Sequence, residues 1–313
     1  MAISKIGIVG AGSWGTAIAA LVASNNHEVK LWSRDEIVVS SINQRHLNQQ
    51  YFPNINLSSN ISATSEIADL NASEYIFMAI PTQTLRAFLS VQKLPSSIPL
   101  ILCSKGIEEN TLKFPAEIIA QVAQNETMIL SGPNFAHEIM QNLPASSVIA
   151  ADSMEKSNKI ISLLDQDNFR VYASTDKIGV QVCGAVKNII AIATGISVGK
   201  SWGENAKAAI IAKGINEIAG LIKALGGKSE TLLSLAGIGD LVLTCSSTLS
   251  RNMSYGISLA QNKASSEKTV EGYHNAKAIY ELGTKLSLKL PLCYEVYAIL
   301  YQGKDIDEAF KGL

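Results

Sequence analysis

The chain has 313 residues, of which 47% are hydrophobic and 17% charged, and its formal net charge at pH 7 is −1. At about 150 residues per domain, this length and composition predict a globular protein of two domains. The lack of a basic excess argues against nucleic-acid binding, while it leaves room for a local cationic pocket. The four cysteines are far apart and form no CxxC pair, which favours reduced, buried thiols in a cytoplasmic protein without a metal site.

The N-terminal stretch "SKIGIVGAGSWGTAIAALVASNN" is typical of a strand, a tight turn and a helix. Its "GAGSWG" fits the pattern G-x-G-x-x-G, in which Gly10 permits the turn, Gly12 lets the backbone approach a pyrophosphate and Gly15 lets helix and strand pack. Glycines interrupt the apolar run, so we do not interpret it as a signal peptide. No uninterrupted run of about 18 apolar residues predicts a membrane span.

The second strand, predicted over 27–34, ends in a group of polar residues that bears on the choice of dinucleotide. Ser33 and Arg34 precede Asp35 there. An acid at this place holds the ribose 2′-OH of NAD, whereas an arginine accommodates the 2′-phosphate of NADP. The order of the residues favours NADP(H), with NAD(H) as the alternative. A second alternative is that Arg34 and Asp35 are solvated surface charges.

Further short apolar runs, each ending in Gly, Pro, Ser or Asp, predict strands over 72–81, 98–106, 127–133, 146–152 and 169–174. Helical patterns over 82–91 and 114–123 lie between them. Strands that alternate with helices predict a mostly parallel sheet covered on both faces. The predicted class is therefore α/β, with an N-terminal Rossmann-type dinucleotide-binding domain.

The pattern changes near residue 175. Strand signals fade, and helices are predicted over 177–196, 203–225, 229–244 and 273–285. We therefore predict domains 1–175, a dinucleotide-binding domain, and 176–313, an all-α substrate domain.

Polar residues follow several predicted strands, at the edge of a parallel sheet where ligands bind. Lys105 follows one apolar run, and Gly132 and Asn134 follow the next. Lys105 is a candidate ligand for an anion, and the alternative is a loop lysine in water.

The segment "GVQVCGAVKNIIAIATGI" predicts an apolar helix that carries Lys187 and Asn188 near its middle. Burying an ammonium is costly, so Lys187 either extends its amine to water or has a function. Further along, Asp240 and Thr244 are four residues apart on one helical face, and a buried aspartate needs a cation such as Lys187. "SRN" adds Ser250, Arg251 and Asn252. Together these residues predict a site for a small anionic substrate.

With these residues in view, the chain resembles the bacterial NAD(P)-dependent glycerol-3-phosphate dehydrogenases. The resemblance runs nearly end to end and rests on "GAGSWGTAIA", "CSKGIE", "LSGPNFAHEI", "GAVKNIIAIATGI", "NAKAAIIAKGINEI", "LAGIGDLVLTC", "SRN" and "TVEGYHNAK", in family order. It implies reversible reduction of dihydroxyacetone phosphate to glycerol 3-phosphate, a role in phospholipid supply, NAD(P)H as cofactor without a metal, and a homodimer.

The resemblance also implies roles for single residues. Lys187 would be the general acid/base, and Arg251 would hold the phosphate. The other implied substrate contacts are Lys105, Gly132, Asn134, Asn188, Asp240, Thr244, Ser250 and Asn252. The implied cofactor contacts are Gly10, Gly12, Ser13, Trp14, Gly15, Ser33, Arg34, Lys105, Ala136, Arg251, Thr269 and Glu271. Asn134 departs from the Ser or Thr usual in the family, and Thr269 from the usual Val or Ile.

Two other functions stay open at this point. One is a related two-domain dehydrogenase for a hydroxy acid or a sugar acid, against which the Lys105 and "SRN" blocks argue. The other is an NADP(H)-binding sensor without activity, which would be expected to lose the buried polar set.

Overall fold

The computed structural model describes residues 3–263 and 270–312, so Thr269 lies outside the described residues. Its strands form one eight-stranded sheet in the order β3-β2-β1-β4-β5-β6-β7-β8. The strands are β1 (Lys5–Val9), β2 (Glu28–Trp32), β3 (Ile61–Thr64), β4 (Tyr75–Met78), β5 (Leu100–Leu102), β6 (Thr127–Ser131), β7 (Ala145–Ala150) and β8 (Phe169–Ser174).

The order of the strands reverses beside β1, which pairs in parallel with β2 on one side and with β4 on the other. The pairs β2–β3, β4–β5, β5–β6 and β7–β8 are parallel as well. In open sheets of this kind, ligands bind outside the carboxyl ends of the strands at such a reversal. The segment that follows β1 is the glycine-rich "GAGSWG". The predicted Rossmann-type fold is therefore confirmed, and the topology places the glycine turn at the expected edge.

The helices of the sheet region are α1 (Ser13–Ser24), α2 (Glu36–Arg45), α3 (Thr82–Val91), α4 (Pro115–Val122), α5 (Ala136–Met140) and α6 (Met154–Leu164). The remaining helices are α7 (Lys177–Gly199), α8 (Glu204–Ala224), α9 (Asp240–Ser246), α10 (Arg251–Ala260), α11 (Glu271–Lys285), α12 (Pro291–Gln302) and α13 (Ile306–Ala309). Among the residues described after Asp176 there is no strand, as predicted for an all-α segment.

The chain folds into two compact units. The first contains the described residues up to Ser104, Pro115–Leu130 and Asn134–Thr175. The second contains Lys105–Phe114, Ser131–Pro133 and the described residues from Asp176 on. Two short segments that follow β5 and β6 in the chain thus pack with the helical unit, which brings Lys105 and Gly132 to its polar residues.

Helix α7 is the core of the second unit. Its residues 179–197 are buried throughout, and α8, α9, α10, α11 and α12 pack on it. In the described part of the chain, α7 is the one helix that is long and apolar enough to cross a membrane. Of its most apolar stretch of 18 residues, 89% is buried inside the protein. A long apolar helix surrounded by other helices is expected to be hydrophobic on all faces.

The structure corrects one predicted element and adds others. Residues 229–244 do not form one helix, because a 3₁₀ turn (Ser229–Leu233) and a π-helical turn (Leu235–Gly239) precede α9. A Cβ on Gly237 would lie 2.2 Å from the Leu232 carbonyl oxygen, so only glycine allows this tight path. The elements that were not predicted are strand β3 and helices α2, α5, α6, α10, α12 and α13. The four cysteines are free and buried, as expected.

The start of α7 depends on one buried carboxylate, Asp176. Its Oδ1 accepts from the Gly179 N–H at 2.9 Å, and its Oδ2 accepts from the Lys228 N–H at 2.8 Å and the Thr231 hydroxyl at 2.5 Å. One side chain therefore caps α7 and ties it to the turn before Leu235.

We expect Asp176→Ala to lower the free energy of unfolding by about 2–3 kcal/mol, because it removes a cap and leaves buried donors unpaired. Urea unfolding followed by circular dichroism measures the loss. Asp305→Ala is the matched control, since Asp305 is exposed and caps the short α13 through the Glu308 N–H. Equal losses in the two variants would contradict the role given to Asp176.

Candidate active site

The turn after β1 has the geometry that its three glycines predict. Gly10 has φ +108°, and a Cβ there would lie 2.7 Å from the Ala79 carbonyl oxygen. A Cβ on Gly15 would lie 1.8 Å from the Gly10 carbonyl oxygen, so the close packing of helix on turn requires glycine. At Gly12, by contrast, a Cβ would meet no described atom within 4 Å. The space above Gly12 is thus open to a ligand, as the pyrophosphate of a dinucleotide requires.

Helix α1 begins directly after this turn and offers its N-terminus to an anion. Gly12 is the N-cap and supplies no side chain, so backbone N–H groups and the helix dipole are left for a phosphate. Ser13 is exposed and Trp14 half-buried at this end. Sequence reasoning missed Asn48, a buried residue whose Nδ2 donates to the Ala11 carbonyl at 3.0 Å and to Thr16 Oγ1 at 2.8 Å.

At the end of β2, Asp35 already has a structural role. Its Oδ1 accepts from the Ile37 N–H at 2.9 Å and so caps α2. The buried Ser33 hydroxyl accepts from the Asp35 N–H at 3.1 Å. Arg34 is exposed. Of the two charged residues, the carboxylate is therefore engaged in a helix cap, whereas the guanidinium faces solvent.

In the second unit, Lys187 is a buried ammonium held by α9. Its Nζ donates to Asp240 Oδ1 at 2.5 Å and to Thr244 Oγ1 at 2.8 Å. The Thr244 hydroxyl in turn donates to the Asp240 main-chain carbonyl at 2.6 Å, so it accepts from Lys187. An ammonium has three N–H donors, and these two contacts leave one for a further acceptor.

A second ammonium shares the same carboxylate. Lys105 Nζ lies 2.8 Å from Asp240 Oδ2 and 3.0 Å from the Gly132 carbonyl oxygen. Side-chain exposure is 16% for Lys105, 8% for Lys187 and 2% for Asp240. Two cations on one buried carboxylate leave a net positive charge, which suits an anionic ligand.

Burial lowers the pKa of Lys187 from 10.5 to about 8. The carboxylate of Asp240 acts against this by favouring the charged amine, and the Lys105 ammonium lowers the pKa further. A lysine with this pKa can give up or take a proton near neutral pH, which an ordinary lysine cannot do effectively.

Three buried asparagines fix the backbone around the two lysines. Asn188 Nδ2 donates to the Lys105 carbonyl at 3.1 Å, and its Oδ1 accepts from Asn252 Nδ2 at 2.9 Å. Asn252 Oδ1 accepts from the Gly272 N–H at 2.9 Å. The third is Asn275, which donates to the Lys105 carbonyl at 3.1 Å. Sequence reasoning missed Asn275, although an asparagine beside Ala276 and Ile279 on a buried helix face was a usable signal.

In the "SRN" block, the three residues differ in what they touch. The Ser250 hydroxyl accepts from the Met253 N–H at 3.3 Å and caps α10, and the Asn252 amide is engaged within the protein. Arg251 alone is exposed, at the first position of α10. Arg251 is therefore the residue of this block whose charged group is accessible to a ligand.

Glu271 lies near these cations at the start of α11. Burial raises the pKa of the Glu271 carboxyl, while the positive charges of Arg251, Lys105 and Lys187 lower it.

Asn134 and Ala136 belong to the first unit, where Asn134 Nδ2 donates to the Ser147 hydroxyl at 2.5 Å. In the part of the chain that the structure describes, no group of three His, Cys, Asp or Glu residues could hold a metal ion.

A nucleotide-binding sheet with an intact glycine turn, together with a helical unit that holds a buried lysine of lowered pKa, indicates a dinucleotide-dependent dehydrogenase. The family models named NAD-dependent glycerol-3-phosphate dehydrogenase N-terminus and C-terminus match residues 5–157 and 176–311. The chain belongs to this family of NAD-dependent glycerol-3-phosphate dehydrogenases.

Individual relatives agree along the whole chain. The glycerol-3-phosphate dehydrogenase [NAD(P)+] of Ehrlichia canis is 42% identical to this chain, and the alignment covers 99% of each protein. That of Parvibaculum lavamentivorans is 37% identical, over 100% of this chain and 97% of that protein. A crystal structure of glycerol-3-phosphate dehydrogenase from Coxiella burnetii has a TM-score of 0.92 at 34% identity, over 98% of this chain and 97% of that one.

The lowered pKa of Lys187 predicts a pH-dependent stability. Between pH 8 and 10.5 the unfolded chain binds a proton at this amine that the folded chain has released, so the lysine's contribution to stability increases with pH. We expect the free energy of unfolding of the wild type to rise relative to that of Lys187→Met over this range, by on the order of 3 kcal/mol. Urea unfolding at several pH values measures it. A constant or falling difference would contradict the lowered pKa.

Proposed function

We propose that the chain reduces dihydroxyacetone phosphate to sn-glycerol 3-phosphate, reversibly and with NAD(P)H, and that Lys187 is its general acid/base. Membership of the glycerol-3-phosphate dehydrogenase family supports the reaction. The observation that carries the role of Lys187 is its contact with Asp240, which Lys105 shares at 2.8 Å. Lys187 is thus a buried proton donor beside the positive charge of Lys105. Reduction of an anionic ketone needs both a proton donor and a positive charge that stabilises the developing negative charge.

The residues of the first unit fit the cofactor. The open face at Gly12 and the uncapped N-terminus of α1 suit a pyrophosphate, with Ser13 and Trp14 beside it. When bound, NAD(P)H supplies the hydride that reduces the carbonyl carbon. Because Asp35 is engaged as a helix cap and Arg34 is exposed, we propose that NADP(H) is preferred over NAD(H).

Lys187 would supply the proton. As negative charge develops on the C2 oxygen of the substrate, the remaining N–H of Lys187 donates to it, and the C–H and O–H bonds of the alcohol are complete. In the oxidation direction the neutral amine accepts the same proton. Asp240 and Thr244 hold the amine in place in both protonation states, since a neutral amine still has two N–H donors for them.

The phosphate group would be bound by cations. Arg251 is exposed at the N-terminus of α10 and can offer a planar pair of donors, and Lys105 adds a second charge. Gly132 and Asn134 remain proposed substrate contacts. Ser250, Asn188 and Asn252 are engaged in hydrogen bonds within the protein, so we propose that they shape the site rather than grip the phosphate.

Further properties are proposed on the same basis. The division into 1–175 and 176–313 assigns the dinucleotide to the first domain and the substrate to the second. By similarity to the family we propose a homodimer, a cytoplasmic location and a role in supplying glycerol phosphate for phospholipid synthesis. Free, buried cysteines support a reducing compartment.

The test is oxidation of NADPH and NADH with and without dihydroxyacetone phosphate. We expect substrate-dependent oxidation that falls as pH rises through about 8, where Lys187 loses its proton. Lys187→Ala should lower turnover by roughly 10²–10⁴, the usual effect of a general acid, while it still binds NADPH.

Lys285→Ala is the matched control, because Lys285 is exposed on α11. Turnover near that of the wild type in Lys187→Ala would contradict the role of this lysine. Absence of substrate-dependent oxidation in the wild type, despite cofactor binding, would contradict the proposed reaction itself.

Cofactor preference has a separate test. We expect Arg34→Ala to weaken use of NADPH by about tenfold or more while use of NADH changes little, because one charge-assisted contact to the 2′-phosphate is lost. Asp35→Ala, which removes the α2 cap, should lower stability and leave the NADPH/NADH ratio of kcat/KM unchanged. If the NADPH/NADH ratio of kcat/KM changes in Asp35→Ala and not in Arg34→Ala, then Asp35 rather than Arg34 determines the cofactor preference.

A further inference from the structure

We infer that Asn275 is a positioning residue for this reaction, one that holds the backbone of Lys105 so that its ammonium stays on Asp240. The inference rests on the proposed function, because Lys105 matters to catalysis only if Lys187 and its neighbours perform the reaction. Asn275 lies on α11 and is 1% exposed.

The amide of Asn275 joins two parts of the second unit. Its Nδ2 donates to the Lys105 carbonyl at 3.1 Å and to the Ala185 carbonyl of α7 at 3.0 Å. Its Oδ1 accepts from the Ile107 N–H at 3.3 Å. A single buried side chain therefore fastens the segment after β5 to the helix that carries Lys187.

This fastening matters because the segment is otherwise irregular. Residues 103–108 form neither helix nor strand, so no regular ladder fixes Lys105. Its carbonyl accepts from two amides, those of Asn275 and Asn188, and of these two Asn275 also reaches Ile107. Positions held by irregular backbone depend on such side-chain bonds.

Gly184 shows how closely the lysine stem is held. A Cβ on this residue of α7 would lie 3.4 Å from both Cβ and Cγ of Lys105. The stem thus runs against the α7 backbone, and a small shift of the Lys105 main chain would move its ammonium away from Asp240 Oδ2, 2.8 Å distant.

The consequence for Lys187 follows from the charges around it. Asp240 on α9 raises its pKa, Lys105 lowers it, and Glu271 on α11 and the thiol of Cys245 on α9 also interact with it. Arg251 on α10 interacts with Glu271. Of these groups, Lys105 is the one whose backbone Asn275 holds. If the Lys105 ammonium moves away, the pKa of Lys187 should therefore rise.

The decisive experiment is a double-mutant cycle on the full-length protein with Asn275→Ala and Lys105→Met. We expect Asn275→Ala alone to lower kcat/KM about ten- to a hundredfold, mainly through KM, because misplacement of a binding group by about 1 Å has effects of this size. In the Lys105→Met background the same change should alter kcat/KM less than about twofold. Equal factors in both backgrounds would overturn the inference.

A second readout does not depend on activity. The pH dependence of competitive acetylation of the Lys187 amine reports its pKa, and we expect that pKa to be higher in Asn275→Ala than in the wild type. An unchanged or lower pKa would contradict displacement of Lys105. If the wild type fails to reduce dihydroxyacetone phosphate, the proposed reaction is wrong, and this measurement still decides whether Asn275 holds Lys105 beside Asp240 and Lys187.

Controls separate positioning from folding. Asn125→Ala also removes two amide-to-carbonyl bonds, to Pro95 at 2.7 Å and Ile98 at 2.8 Å, but in the first unit. It should lower stability and leave KM for dihydroxyacetone phosphate unchanged. Should Asn275→Ala not fold, Asn275→Ser leaves a polar group in the site and is expected to give the same pattern in the cycle. A KM equal to the wild type in folded Asn275→Ser would overturn the inference.

Discussion

Two ammonium groups that share one buried carboxylate form the constraint on which the second unit depends. Burying a single ion costs several kcal/mol. The Asp240 side chain, 2% exposed, is compensated because Lys187 and Lys105 donate to its two oxygens. With both lysines protonated, these three side chains carry one more positive charge than negative charge. Such an excess of positive charge in a partly buried site favours an anionic ligand, which is consistent with the substrate contacts proposed for these residues.

The surrounding structure serves to keep these charges in place. The π-helical turn Leu235–Gly239 brings the chain to Asp240 at the N-terminus of α9, where the helix dipole favours a carboxylate. Thr244, one turn later, orients the Lys187 amine. This π-helical turn is an irregular element, and it packs against α7. The irregular element and the charged site therefore occur together, as is common for functional positions.

Sequence reasoning predicted most of the sheet because buried parallel strands are short apolar runs with clear ends, and it located Lys187 and Asp240 because charge in an apolar helix is conspicuous. It failed over 229–244, where the apolar period continues through a turn that only the close approach of Gly237 to Leu232 reveals. Asn48 and Asn275 were missed for another reason. At most, an asparagine among apolar residues of a predicted helix signals a buried amide, and it does not indicate the partners, which here lie 37 and 170 positions away along the chain.

The hydrogen bonds also distinguish residues that have similar positions in the sequence but different roles in the structure. Asp35 and Asp240 are both acids next to candidate ligand sites, yet the first caps a helix and the second binds two lysines. Ser250 and Arg251 are neighbours, yet the hydroxyl is engaged in a cap while the guanidinium is exposed. Each polar atom has a limited number of bonds, and those already engaged inside the fold are less available to a ligand. Counting the hydrogen bonds of each candidate therefore narrows the proposed substrate contacts to residues whose bonding capacity the fold has not already used.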